Sequence, residues 1–130
     1  MVKPRVLVVD DDTDFQETLV KRLERRNLEA KGTDSGSKAL ALLEQEGFDV
    51  VILDLEMPGL RGIDALREIK KRRPFVEVIL LTGYASVKSG VQGMQSGAFD
   101  YVVKPESLIE LVDKIYQAYD KKQRQEKGTR

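Results

Sequence analysis

Short, almost purely apolar runs alternate along this chain with longer stretches whose apolar residues recur at helical spacing. Val6 to Val9, Val50 to Leu53 and Val76 to Leu81 are nearly continuous Val, Ile and Leu. Strands covered on both faces read this way, because neither face meets water. Two weaker strands complete the set, a polar one near Glu29 to Gly32 and a short one over Phe99 to Val103.

Helical patterns follow each strand. Thr13-Asp-Phe-Gln16 resembles a capping box, and Phe15, Leu19 and Leu23 follow at helical spacing. Asp34 or Ser35 could cap a second helix carrying Ala39, Leu40 and Leu43. Ile63, Leu66 and Ile69 mark a third, closed by Arg72, Arg73 and Pro74. Val87, Val91 and Met94 mark a fourth, ending at Gly97. Ser107-Leu-Ile-Glu110 is a second capping-box match, with Leu108, Leu111, Val112 and Ile115 behind it. Five βα units with right-handed crossovers predict a doubly wound α/β fold on a parallel sheet. There is no internal repeat or linker. From about Asp120 the chain turns polar and charged, which reads as a fraying end or the start of a linker.

The polar residues that end the strands carry the chemistry. Asp10 and Asp11 end the first, Asp54 the third, Thr82 the fourth, and Lys104 follows the fifth. In an open parallel sheet these positions lie along one edge, where ligands bind. Three carboxylates, a hydroxyl and an ammonium are therefore expected to converge. Hard oxygen ligands suit Mg²⁺, and a carboxylate beside a metal can attack phosphorus. Each residue also has a plainer reading. Asp10-Asp11-Asp12 can be a loop and a helix N-cap, and Asp12 is read as that cap or as solvated. Asp54 can simply precede the Met57-Pro58-Gly59 turn. Thr82 alone is a polar strand end, and a lone Lys104 is usually exposed. Glu56 lies two residues past Asp54, so its main-chain carbonyl could face the metal while its side chain points to solvent. No single residue here is specific, whereas the ordered set is.

Composition narrows the classes. The chain has 130 residues, which fits one domain. Cys is absent, excluding disulfides and thiolate metal sites. His is absent too, removing the usual general base and transition-metal ligand. Lys plus Arg equal Asp plus Glu at 22 each, so no global field draws the domain to nucleic acid or anionic lipid. The apolar runs are too short to span a bilayer, and the start has no signal-peptide h-region. A cytoplasmic protein is expected.

From about Arg5 to Tyr119 the chain resembles the receiver domain of two-component response regulators, of the CheY-like superfamily. Asp10-Asp11 after Val-Leu-Val-Val matches the family's metal-binding pair. Asp54 in Ile-Leu-Asp-Leu-Glu-Met-Pro-Gly matches its phosphoacceptor, and Thr82 in Leu-Leu-Thr-Gly-Tyr its switch hydroxyl. Tyr101 matches the switch aromatic, and Lys104-Pro105 the family's Lys-Pro, whose peptide bond is usually cis.

The resemblance implies a flavodoxin-like sheet of order 2-1-3-4-5, with residues 1–120 as the receiver and 121–130 as a charged tail or linker start. It implies a signalling domain rather than an enzyme, one that catalyses phosphotransfer to its own Asp and slow autodephosphorylation. A sensor histidine kinase or phosphotransfer protein would present a phosphohistidine, and Asp54 would attack in line. Mg²⁺ would be held by Asp11, Asp54, the Glu56 carbonyl and, through water, Asp10. Thr82 and Lys104 would bind the new oxygens. Thr82 would then move inward with Tyr101, changing the surface of the fourth helix, fifth strand and fifth helix to control an output partner or a homodimer. Neither nucleic acid nor membrane would be a direct partner of this domain.

The chain departs from the pattern at Glu106, where an apolar residue often follows Lys-Pro, and at Glu56, which sets a negative charge beside an incoming phosphodonor. Ser96-Gly-Ala-Phe-Asp-Tyr101 is similar to receivers joined to AAA+ transcriptional activators. A haloacid-dehalogenase-type phosphatase also uses a strand-ending Asp, Mg²⁺ and a Lys. Its Asp-x-Asp-x-Thr motif is displaced in Val9-Asp-Asp-Asp-Thr-Asp14, where Thr comes one position early. A nucleotide-binding Rossmann domain fails because Asp10-Asp11-Asp12 fills the turn that needs a glycine-rich loop. A receiver-like module that is never phosphorylated is the remaining alternative.

Overall fold

The computed structural model describes residues 3–55, 62–82, 87–103 and 107–128, and for Thr82 and residues 87–90 it describes the backbone. Five strands, β1 (Arg5–Val9), β2 (Glu29–Thr33), β3 (Val50–Asp54), β4 (Glu77–Thr82) and β5 (Asp100–Val103), form one parallel sheet. Its order is β2-β1-β3-β4-β5, the expected one. The helices are α1 (Thr13–Arg25), α2 (Gly36–Gln45), α3 (Gly62–Arg72), α4 (Val87–Gln95) and α5 (Leu108–Gly128).

The strand alternation sorts the core into two layers. Leu7, Val9, Val51, Leu53, Val78 and Leu80 face Ala39 and Leu43 of α2 and Ala65, Leu66 and Ile69 of α3. Val6, Val8, Val50, Ile52, Ile79, Leu81 and Val102 face Leu19 and Leu23 of α1 and Leu111, Ile115 and Ala118 of α5. Successive side chains point to opposite faces, so unbroken apolar runs are what a sheet covered on both sides requires. Full burial of one such Leu, Ile or Val contributes roughly 1.5–3 kcal/mol. β2 needs less apolar content because it is the sheet edge, and there only Thr33 is buried.

The helix starts follow local chemistry, with one correction. Asp12, not Thr13, caps α1, its carboxylate accepting the Phe15 N–H at 3.1 Å. No capping box forms, since N3 is then Phe15, which has no acceptor, and the Gln16 side chain makes another contact instead. Ser35 caps α2 by accepting the Lys38 N–H, while Asp34 pairs with the Lys38 ammonium, which lowers the Asp34 pKa. Ser107 Oγ lies 3.5 Å from the Glu110 N–H at the start of α5.

α4 turns part of its apolar spacing to solvent. Val91 and Met94, which mark its apolar spacing, are 51% and 40% exposed. Among its described side positions the helix seats itself through Gly93. A Cβ there would lie 2.1 Å from Leu80 Cδ1, so only glycine permits the approach. Val91 and Met94 are thus turned outward, while the Val87 side chain lies outside the described residues.

α5 does not stop where the composition turns polar. It continues to Gly128 and crosses the strands' amino edge. There Glu77, fully buried at the start of β4, takes Lys70 Nζ at 2.8 Å on one oxygen. Lys121 Nζ lies 2.9 Å from the other, an ion pair without hydrogen-bond alignment. Lys122 pairs with Asp49 at 3.1 Å and with Glu126. Burial pulls the Lys122 pKa down, but its hydrogen bonds to Glu126 and Asp49 outweigh that and hold it above the ordinary 10.5.

Candidate functional site

The carboxyl edge of the sheet brings three acidic side chains together. β1 and β3 pair in parallel with Val9 opposite Leu53, so the residues that follow, Asp10 and Asp54, are neighbours. Carboxylate oxygens of Asp10, Asp11 and Asp54 all lie within 4.8 Å of one another. Asp10 is fully buried and Asp54 is 5% exposed, while Asp11 faces out. The cluster is therefore open on one side and closed on the other.

Backbone contacts hold the Asp10 turn in place. The Asp10 N–H donates to the Thr33 carbonyl at 3.1 Å, which anchors the end of β1 to the end of β2. Asp10 Oδ1 accepts the Asp12 N–H at 3.0 Å. Beyond Asp54, the Leu55 N–H donates to the Leu81 carbonyl at 3.1 Å, which ties the end of β3 to β4.

Three carboxylates this close repel one another unless a cation sits between them. An octahedral Mg²⁺ with ligands at about 2.0–2.1 Å keeps its oxygens roughly 3–4 Å apart, so a small adjustment of these side chains suffices. The donor set is all oxygen, with no nitrogen or sulfur within it, which matches a hard divalent cation rather than zinc. The residues present fit Mg²⁺.

The other expected residues are distributed as follows. Thr82 ends β4 in register with Val103, one step beyond the Asp54–Leu81 pair. Its backbone is therefore at the same sheet edge as the acidic cluster. Glu56, Lys104, Pro105 and Glu106 lie outside the described residues. Tyr101 is half-buried on β5 and packs against the α2/α3 core layer. Its carbonyl lies 3.4 Å from Lys114 Nζ, which also pairs with Asp100 and Glu110. Gln16 was not anticipated as part of the site. It is buried on α1, and its Nε2 donates to the Asp10 carbonyl at 3.2 Å. The available signal was a long polar residue on a helix whose neighbours at that face are apolar.

A flavodoxin-like sheet with a carboxylate cluster at the end of its first and third strands defines a class of α/β signalling domain. The chain belongs to the response regulator receiver domain family, whose model matches residues 6–116. It is 38% identical over 107 residues to the regulatory protein AtoC of Escherichia coli, covering 82% of this chain and 23% of that protein. It is 35% identical over 121 residues to the DNA-binding transcriptional regulator NtrC of Salmonella typhimurium, covering 93% and 26% respectively. A response regulator receiver domain structure from Clostridium thermocellum superposes with a TM-score of 0.88 at 34% identity, covering 92% of this chain and 97% of that one. The chain spans about a quarter of the length of these two curated relatives. Receiver domains are signalling domains phosphorylated by histidine kinases, and they bind Mg²⁺ at an acidic pocket. Among the described residues, no helix is long and apolar enough to cross a membrane.

Proposed function

We propose that this domain accepts a phosphoryl group on Asp54 from a histidine kinase or phosphotransfer protein. The carrying observation is the convergence of Asp10, Asp11 and Asp54, two of them buried, at the carboxyl edge of a receiver fold. Asp11 and Asp54, with water-mediated help from Asp10 and the main-chain carbonyl of Glu56, would hold Mg²⁺. When bound, that ion supplies charge neutralisation to the phosphoryl oxygens. An Asp54 carboxylate oxygen attacks phosphorus, the bond from phosphorus to the donor imidazole nitrogen breaks, and the nitrogen leaves with the bonding pair. Thr82 and Lys104 receive the phosphoryl oxygens. The acyl phosphate is later lost to water, so the domain resets itself and acts as a timed switch in the cytoplasm.

The output runs through the face formed by α4, β5 and α5. Val91 and Met94 on α4, and Ile109 and Tyr116 on α5, are exposed apolar groups, 68% exposed at Ile109. Such side chains on neighbouring elements favour a protein partner. Thr82 and Tyr101 would link that face to the site. The receiver takes in α5 to Gly128, because Lys121 and Lys122 are ion-paired to Glu77 and Asp49. A transcriptional output is proposed by analogy with the longer NtrC, a DNA-binding transcriptional regulator. The receiver itself binds neither DNA nor membrane, consistent with its balanced charge.

The test is intact-mass measurement after mixing with acetyl phosphate and Mg²⁺. The protein should gain one phosphoryl group, labile to hydroxylamine, and Asp54→Asn should gain none. Labelling of Asp54→Asn to the wild-type extent would sink the assignment. Steady phosphate release from sugar phosphates without a lasting adduct would point to a phosphatase instead.

A further inference from the structure

We infer that Gln16 is a positioning residue for the acidic cluster, and that Gly32 on β2 exists to admit it. The inference rests on the Mg²⁺ site proposed above. Gln16 lies on the inner side of α1 and is 8% exposed. Its neighbours on that face, Leu19 and Leu23, are apolar core. A buried amide in such a setting is unfavourable unless it is hydrogen-bonded. Its bond is to the Asp10 carbonyl at 3.2 Å, at the last step of β1 before the acidic turn.

The turn is fixed from several directions. The Asp10 N–H is held by Thr33 of β2, its carbonyl by Gln16 of α1, and its carboxylate accepts the Asp12 N–H. Asp12 in turn caps α1, on which Gln16 sits. The loop carrying Asp10 and Asp11 is thereby clamped between the first helix and the edge strand.

Gly32 supplies the space. A Cβ at Gly32 would lie 2.1 Å from Gln16 Oε1, 2.7 Å from Cδ and 2.9 Å from Cγ. All three contacts are to this one side chain, not to backbone. A Cβ at position 32 must displace the Gln16 side chain, whose amide holds the Asp10 carbonyl. The glycine in an otherwise ordinary edge strand is explained by this contact. Groups that orient metal ligands without touching the metal commonly alter affinity by tenfold or more when removed.

The test measures Mg²⁺ affinity by calorimetry on the unphosphorylated protein, with the denaturation midpoint of the metal-free protein beside it. Gln16→Met keeps the length and burial but removes the donor. It should weaken Mg²⁺ binding by roughly tenfold while changing the metal-free midpoint little. Gly32→Ala should weaken binding similarly through displacement of Gln16. The double variant Gln16→Ala with Gly32→Ala should bind no worse than Gln16→Ala alone, because the side chain that clashes is gone. Wild-type affinity in both Gln16→Met and Gly32→Ala would overturn the inference, as would additive losses in the double variant. Failure of the wild-type protein to bind Mg²⁺ at all would instead overturn the metal site itself, and this inference with it.

Discussion

Asp10, Asp11 and Asp12 are the same side chain in three settings. Asp10 is sealed inside, its amide, carbonyl and carboxylate each in a hydrogen bond within the fold. Asp11 is exposed, with its carboxylate at the cluster. Asp12 caps α1. A carboxylate proposed to coordinate directly and one that caps a helix should fail differently. Asp11→Ala should weaken Mg²⁺ binding about tenfold or more, since a charged ligand is lost. Asp12→Ala should leave binding near wild type and lower stability by about 1 kcal/mol. Mg²⁺ titration and urea denaturation of both variants check this, and equal losses of affinity would refute the division. The convergence of Asp10, Asp11 and Asp54 was legible because each ends an apolar run, and the ends of parallel strands share one edge. The placement of Gln16 was not legible. It depends on a glycine on a different element, and no local pattern connects positions 16 and 32.

The elements were legible to different degrees. β1, β3 and β4 announced themselves by continuous apolar runs, while their registers, without alternation to fix them, are seen only in the structure. α4 was legible as a helix, but the close approach through Gly93 was not. Apolar spacing normally marks the inward side, yet here Gly93 makes the close approach and Val91 and Met94 face out. The continuation of α5 was masked by composition, since charged residues at 121–128 read as tail. Those charges are used at the amino edge, where Lys70 and Lys121 neutralise the buried Glu77. Lys70→Met should therefore destabilise the fold by roughly 2 kcal/mol, less than a fully orphaned buried charge because Lys121 remains. Adding Glu77→Leu to Lys70→Met should recover most of the loss, because an apolar residue tolerates that site without a partner. Urea denaturation checks both variants. A double variant no more stable than the single would show that Glu77 is held for some reason other than charge balance.

At the scale of the whole molecule, the sheet separates two kinds of edge. The carboxyl edge carries the acidic cluster. The amino edge carries ion pairs that fasten α5 to β3 and β4 through Asp49, Glu77, Lys121 and Lys122. β4 links the two, and its six residues span roughly 16 Å. A phosphoryl group on Asp54, as proposed, would act on the near end of β4, where Thr82 sits in register with Val103 of β5. The nearest adaptable part of the molecule is α4, since among its described positions only Gly93 is buried. The far edge is tied by buried charges whose separation would leave Glu77 unpaired, so motion there is costly. The change should therefore run across β5 to the exposed apolar face and stop short of the amino edge. Beryllofluoride with Mg²⁺ mimics the phosphoryl group at a carboxylate and lets this be followed by amide NMR. Shifts are expected at the acidic loops and across residues 87–115, including Tyr101 and Leu111, while Asp49, Glu77 and Lys121 stay close to their starting positions. Shifts confined to the loops around Asp10, Asp11 and Asp54 would refute a switch through α4, β5 and α5. Equal shifts at the amino edge would show that the ion pairs do not hold that end of α5 still.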